Sequence, residues 1–313
     1  MLQCLASVLR RWSVQNKYEP ATNHNDLPGY TEIWARRRDL PGYSWICLSG
    51  LFTGVNYPTR TAKSGGDWTF RDLHAFNISI VDQPFATFFD TPDLPDLPTN
   101  LRAFADTPNR AAAAQAADID TYKLLYYLEL ATFPKIGLEP AVDSFAEKLL
   151  ETIGYAPGYR ITLSHQFLPL ECAGRCTTRV DVFVCDLDNI IYLLVQHDRG
   201  IEDLSDPEPP LIAAALTAYQ RNNNTRVREL RLPALDEITF PGITLVGTFP
   251  TFYKIRVTAA LNTAVICADY PLTATIVDRY IPRIPHDQSE GMTPVDSREV
   301  ILRHFEAFKR FVV

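Results

Sequence analysis

The sequence has no apolar run near the ~18 residues that a membrane-crossing helix needs. Its opening MLQCLASVLRRW places a short apolar run before Arg10 and Arg11, the reverse of the charge-then-apolar order of a secretory leader. No membrane partner is therefore expected, and the chain reads as soluble and intracellular, cytoplasmic or nuclear. Basic charge is not in excess: 30 Lys and Arg stand against 37 Asp and Glu, for a net charge of -7. That balance argues against a surface coated with nucleic acid but leaves room for a local basic cleft. A zinc-type second pair of ligands is also missing. The six cysteines (Cys4, Cys47, Cys172, Cys176, Cys185, Cys267) are scattered, and only Cys172 and Cys176, in CAGRC, lie close together. They fit reduced thiols in a reducing compartment. Ser64-Gly65-Gly66-Asp67 lacks the spacing of a phosphate loop or dinucleotide fingerprint, and no G-x-S-x-G elbow occurs.

What is present is ordinary globular material: 313 residues, 46% hydrophobic and 21% charged. Residues 1–75 read as a loop-rich N-terminal extension, rich in Trp, Tyr, Pro, Gly and Arg through residue 68. DLPGY occurs twice, at Asp26–Tyr30 and Asp39–Tyr43, and its Pro-Gly favours a tight turn. The two copies are too close to define a repeat fold. Arg36, Arg37 and Arg38 form a basic run, suited to a solvated loop or to phosphate contact.

Residues 76–138 begin with FNISIVDQPFATFFD, a strand followed by a short apolar segment. TPDLPDLPTN follows, with prolines at 92, 95 and 98, and reads as a linker or extended surface arm. Asn109–Ala131 predicts a helix with an apolar stripe of Leu124, Leu125, Tyr127 and Leu128.

Residues 139–313 are more regular. Glu139–Ile153 has apolar residues at 142, 145, 146, 149, 150 and 153, which share one helical face, and Gly154 sits where a C-terminal cap belongs. ITLSHQFLPL reads as a strand. Val180–Asp186 and Ile190–Gln196 read as a hairpin turning at Asp188-Asn189. Pro209–Gln220 is a proline-led helix. Thr244–Val257, interrupted by Gly247 and Pro250, is two short strands or a bent one, and Arg298–Phe311 is a closing amphipathic helix. The expected fold class is α/β (α+β), a mixed central sheet flanked by helices, ordered from residue 139 as helix, strand, hairpin, helix, strand.

That order, with polar residues at the hairpin ends, resembles the PD-(D/E)XK nucleases. In those enzymes an acidic residue opens the second core strand, an acidic-x-Lys triplet ends the third, and a Glu often comes from the preceding helix. The resemblance offers Asp181 for the first position and His197-Asp198-Arg199 for the triplet. Glu139 stands at the helix start, with Glu147 and Glu151 further along. Gln220 follows on the next helix, where such nucleases place a polar residue, though a solvated helix end would read the same. The wider text VDVFVCDLDNIIYLLVQHDR, DPEPPLIAAALTAYQRNN, FPGITLVGTFPTFYKI and ILRHFEAFKRFV resembles a group of mushroom-type (basidiomycete) fungal proteins without an established function. The likeness spans residues 76–313 and is strongest from 139 onward. In that group the strand end reads Gln-Glu-Asp-Lys, so this chain has His197 for Glu and Arg199 for Lys.

The resemblance implies a divalent metal, Mg²⁺, Mn²⁺ or Zn²⁺, held by Asp181, His197 and Glu139. Hard Mg²⁺ prefers oxygen, whereas imidazole suits Mn²⁺ or Zn²⁺. Arg keeps the positive charge of Lys but cannot give up a proton. The expected function is a catalytically degenerate core that binds nucleic acid or a protein partner. One alternative is an active metal-dependent nuclease using Asp181 and the His-Asp-Arg triplet; another is an unrelated interaction or scaffold protein. Adjacent strand residues face opposite ways, so either His197 or Asp198 meets Asp181, and the register is open. His165 reads as an ordinary strand residue. Tyr253-Lys254, near Phe249 and Phe252, reads as core strand with one exposed lysine or as a base-stacking platform.

Overall fold

The computed structural model describes residues 18–21, 34–37, 45–47, 62–132, 141–197 and 206–312. Three short antiparallel strands come first: β1 (Tyr18–Ala21), β2 (Trp34–Arg37) and β3 (Trp45–Cys47). Both DLPGY strings and Arg38 lie outside the described residues. A 3-10 turn at Gly65–Asp67 leads into α1 (Phe70–Ala75), β4 (Ile78–Asp82), α2 (Phe85–Phe89), α3 (Thr99–Asp106), α4 (Arg110–Gln115) and α5 (Ile119–Thr132). Then come α6 (Ala141–Ile153), β5 (Ile161–Glu171), β6 (Arg175–Cys185), β7 (Ile191–His197) and α7 (Glu208–Arg228). The chain continues through β8 (Glu237–Val246), β9 (Phe249–Thr258), α8 (Ala259–Cys267), β10 (Thr275–Tyr280) and α9 (Val295–Phe308).

Seven strands form one mixed sheet in the spatial order β4-β10-β9-β8-β7-β6-β5. The strands β5, β6 and β7 make an antiparallel meander. After the α7 crossover, β8 pairs parallel with β7. The β8–β9 hairpin follows, and β10 pairs antiparallel with β9 and parallel with β4. Helices cover both faces. Phe145, Leu149, Val182, Val195, Phe252 and Phe305 belong to one buried layer, under α6 and α9. Val180, Leu194, Leu211, Ala215, Tyr253 and Val277 belong to the other, under α7. No helix among the described residues is long and apolar enough to cross a membrane.

Local chemistry explains the elements that carry the site. α6 stops at Gly154, whose φ of +85° lets the backbone N–H groups of Gly154 and Tyr155 both return to Leu150 O, at 3.1 and 2.9 Å. The β6–β7 turn is held by Asp186, whose Oδ1 accepts from Asp188 N and Ile190 N at 3.0 and 2.9 Å. α7 starts with Pro209 and Pro210, which need no hydrogen-bond partner in a first turn. It lies close on the sheet because Gly242 has no side chain; a Cβ there would sit 3.1 Å from Leu211.

Several expectations are corrected. The segment 109–131 is two helices, α4 and α5, because Ala117 turns left-handed (φ +55°) and Asp118 caps the second through Thr121 N at 3.1 Å. The segment 244–257 is two strands, as one of its two readings has it, but they are longer than expected and form the hairpin β8–β9, turning at Gly247 (φ +57°), with Pro250 kept inside β9 opposite Leu245. The proline-rich stretch is no free arm. Arg303 donates to Leu94 O and Pro95 O at 3.0 and 2.9 Å, and Leu97 is buried. α8 and β10 had no counterpart in the sequence reading. The four described cysteines (Cys172, Cys176, Cys185, Cys267) form no disulfide.

Candidate metal centre

Three ligand-bearing side chains converge where α6 crosses the meander. Asp143 comes from the first turn of α6, Asp181 from the middle of β6, and His197 from the end of β7. Asp143 and Asp181 are almost fully buried, and His197 nearly so. One donor atom from each lies within 4.8 Å of the others. His197 Nε2 is 2.8 Å from Asp143 Oδ1 and 3.8 Å from Asp181 Oδ2. Such spacing suits one ion with metal–ligand bonds of about 2.0–2.6 Å.

The two carboxylates are held differently. Asp181 Oδ2 accepts from Gln196 Nε2 at 2.5 Å and from the backbone N–H of His197 at 3.1 Å. Asp181 Oδ1 pairs with Arg179 Nε at 3.1 Å. Neither oxygen of Asp143 accepts a hydrogen bond of acceptable geometry, although His165 Nε2 and His197 Nε2 stand 2.5 and 2.8 Å away. The distances satisfy an ion pair and the directions do not satisfy a hydrogen bond, so Asp143 keeps acceptor capacity inside the protein. Burial pushes the Asp181 carboxyl above the usual carboxylate range, and Asp143 adds to that; His197 and Arg179 oppose it.

His165 reaches the centre through an unusual backbone. The β5–β6 ladder pairs Ser164 with Val182 and Gln166 with Val180, and His165, between them, takes φ +53°. A left-handed conformation is uncommon in a non-glycine residue within a strand. Here it accompanies an imidazole set against Asp143.

The structure brings together only part of the expected set. Asp181 and His197 lie together, with His197 Nε2 3.8 Å from Asp181 Oδ2. Asp198, Arg199 and Glu139 lie outside the described residues. Among the described residues the helix acid at the centre is Asp143, not Glu147 or Glu151: Glu147 is half-buried, and Glu151 is exposed and paired with Lys148 at 3.2 Å. Gln220 is elsewhere. It clasps the backbone of Glu171 (N at 2.8 Å, O at 3.0 Å) and Asn262 Oδ1 at 2.8 Å, at the far end of β5. Tyr253 is no stacking platform, because it is buried with its hydroxyl donating to Glu208 Oε1 at 2.6 Å. Lys254 lies over the Phe311 ring instead, 3.9 Å from its centroid.

Sequence reading missed Asp143, Arg179 and Gln196, and took His165 for an ordinary strand residue. Asp143 carried a usable signal, since it stands three and seven residues before Ala146 and Leu150 on the apolar face of α6. An acid on a buried stripe needs a partner or a ligand. Compared with known proteins, the chain matches no protein-family model and no curated protein.

Proposed function

We propose that the chain is a PD-(D/E)XK-like core that takes up one divalent transition-metal ion through Asp143, Asp181 and His197. We further propose that it binds nucleic acid while cleaving it weakly or not at all with Mg²⁺. The observation that carries this reading is the convergence of three buried ligand-bearing side chains, Asp143, Asp181 and His197, whose donor atoms lie within 4.8 Å of one another. Two carboxylates buried side by side repel each other, and a cation bound between them would offset that repulsion. The succession α6, antiparallel β5-β6-β7, α7 and parallel β8 supports the resemblance to that nuclease class. So does the location of the three ligands on its first helix, second strand and third strand.

The residue types set the metal preference. Two carboxylates and one imidazole suit Mn²⁺ or Zn²⁺ better than Mg²⁺. A bound ion of this kind would act as a Lewis acid and lower the pKa of a coordinated water. Gln196 and the His197 N–H hold Asp181 in place. Arg199 replaces the lysine of the related pattern and keeps its positive charge, but it cannot give up a proton. One observation favours cleavage as a second reading: Arg179, one-third exposed, presents a guanidinium beside both carboxylates.

Titration calorimetry with Mn²⁺, Zn²⁺ and Mg²⁺ tests the proposal. One ion per chain is expected, bound more tightly for Mn²⁺ and Zn²⁺ than for Mg²⁺, and lost in Asp143→Ala and Asp181→Ala. His197→Glu should shift the preference toward Mg²⁺. Absence of uptake by the parent would overturn the metal reading. Robust Mg²⁺-driven cleavage of a plasmid, abolished by Asp181→Ala, would promote the cleaving reading instead.

A further inference from the structure

A cleft of about 820 Å³ lies along α7, between the closed end of the β5–β6 hairpin and α8, and shares no residue with the metal centre. Gln220 braces its walls. It accepts from the backbone N–H of Glu171 at 2.8 Å and donates to Glu171 O at 3.0 Å and to Asn262 Oδ1 at 2.8 Å, which ties both hairpin and α8 to α7. The hairpin tip is fixed again where Ala173 N donates to Val265 O at 3.1 Å. The walls are held by bonds within the protein, so a partner meets a surface that needs little ordering.

Arginine gives the cleft its character. Many described arginines are occupied by the fold: Arg303 and Arg310 donate to backbone carbonyls, and Arg110 and Arg279 pair with carboxylates. In the cleft, Arg175 and Arg228 are exposed and, among the described residues, make no hydrogen bond or ion pair. Arg221 reaches only Asn189 O, at 3.4 Å. Glu171 and Glu229 share the lining, so three arginines stand against two glutamates. The stretch 221–231 widens that excess, with Arg221, Arg226, Arg228 and Arg231 against Glu229, in a chain whose net charge is -7. Asn262 has its oxygen taken by Gln220, which leaves its Nδ2 to donate. Donors predominate, and the complementary partner is acidic.

The surroundings decide which acidic partner fits. Tyr219, the aromatic residue of the lining, is buried with its hydroxyl donating to Leu235 O at 2.8 Å, so the cleft offers no ring on which a base could stack. Glu171 and Glu229 interrupt the positive track that a continuous phosphate chain would follow. Aliphatic side chains stand at the rim instead. Leu187, Val227 and Leu232 are 71%, 46% and 45% exposed, each within two residues of a residue of the lining. The exposed carboxamide of Asn224 both donates and accepts, as a peptide group does.

We propose that this cleft is a docking groove for an acidic peptide segment whose carboxylates are interspersed with aliphatic residues. The carboxylates meet the guanidinium groups of Arg175, Arg221 and Arg228, and the aliphatic side chains rest on the rim formed by Leu187, Val227 and Leu232.

The test uses the full chain in EDTA, so that the metal centre takes no part, and a fluorescein-labelled peptide of repeating Asp-Leu-Glu-Val units read by fluorescence anisotropy. The parent should bind this peptide, and should bind oligo-glutamate of the same length more weakly. Arg175→Gln and Arg228→Gln should each weaken the peptide about tenfold, the scale of one charge-assisted contact. Leu232→Ser should weaken it by less. Arg283→Gln removes an exposed arginine outside this cleft and should leave binding unchanged. The cleft variants should keep the parent's urea midpoint, because the arginines they lose are exposed and unbonded. Failure of the parent to bind the peptide overturns the proposal. So does a matching loss in Arg283→Gln, which would reduce the effect to general attraction, or a fall in urea midpoint that tracks the loss of binding. It is overturned as well if single-stranded DNA displaces the labelled peptide as effectively as unlabelled peptide does, or if oligo-glutamate binds as tightly.

Discussion

Arg298 and Asp143 are each 1% exposed, and each is a charged group buried against the same apolar layer. Their surroundings are opposite. Arg298, in the first turn of α9, spends its guanidinium entirely on backbone. Nε donates to Met292 O at 3.0 Å, one terminal nitrogen to Phe104 O and Thr107 O at 2.8 Å each, and the other to Thr293 O at 3.1 Å. Those bonds tie α9 to α3 and to the loop that precedes α9. Burial pulls the arginine down to about 10, still charged near neutrality. Asp143 has nitrogens close by and no hydrogen bond. A buried charge whose partners are all supplied by the fold is structural; one whose capacity is left open is arranged for something else.

The comparison breaks most visibly if Arg298 is removed. Arg298→Ala strips four backbone carbonyls of their donor and opens a cavity, so a loss of about 4 kcal/mol is expected, read as a lower urea midpoint at unchanged slope. A loss below about 1 kcal/mol would mean that the carbonyls find water and that the two sites are less different than they look.

A pH series sharpens the same contrast, through a histidine of α9. Buried His304 sits between Tyr280 Oη at 2.9 Å (from Nε2) and Val300 O at 2.8 Å (from Nδ1). Burial holds it down to about 4, against an ordinary value near 6.5. Between those values the unfolded chain takes up a proton that the folded chain refuses. Its contribution is therefore complete above pH 6.5 and lost as pH falls toward 4, by about 3 kcal/mol. His304→Gln should flatten that part of the stability curve in metal-free protein, and an unchanged curve would assign the acid loss to other groups.

The smallest effect has the opposite sign. Asp143→Asn relieves the repulsion between two adjacent buried carboxylates, which outweighs its ion pairs with His165, His197 and Arg179, so metal-free protein should gain about 1 kcal/mol while losing metal uptake. Destabilisation comparable to Arg298→Ala would show that Asp143 is a structural ion pair with its neighbouring cations.

Much of this was readable in the chain. The apolar face of α6, Gly154 after it, and the hairpin around Asp188-Asn189 follow from local periodicity and turn chemistry, which neighbours a few residues away determine. The nearness of Asp181 to the end of β7 was readable because strand pairing across a short turn sets it, whereas the choice between His197 and Asp198 depended on a register that the sequence left open. The rest depends on contacts that local pattern does not encode. The left-handed turn at Ala117 interrupts an alanine-rich stretch that is helix-forming by propensity. The φ of His165 is imposed by the assembled sheet. The glutamates of α6 drew attention by matching the related pattern, whereas Asp143 is shorter and lies on the buried stripe. Gln220 is polar for a reason other than chemistry: it satisfies the end of β5.

The parallel pairing of β4 with β10 has a consequence for the order in which the chain can close. It joins partners such as Asp82 and Arg279, 197 residues apart, whereas Asp181 and the His197 N–H are separated by 16. Contacts of short separation close with little loss of chain entropy, and distant ones wait for the intervening chain. On a ribosome, the meander that carries Asp181 and His197 is complete, and α6 with it, before β10 has been made. Until then β4 lacks, among the described residues, a strand beside it, and the edge of backbone N–H and C=O groups that β10 will cover stays open to any other strand that meets it.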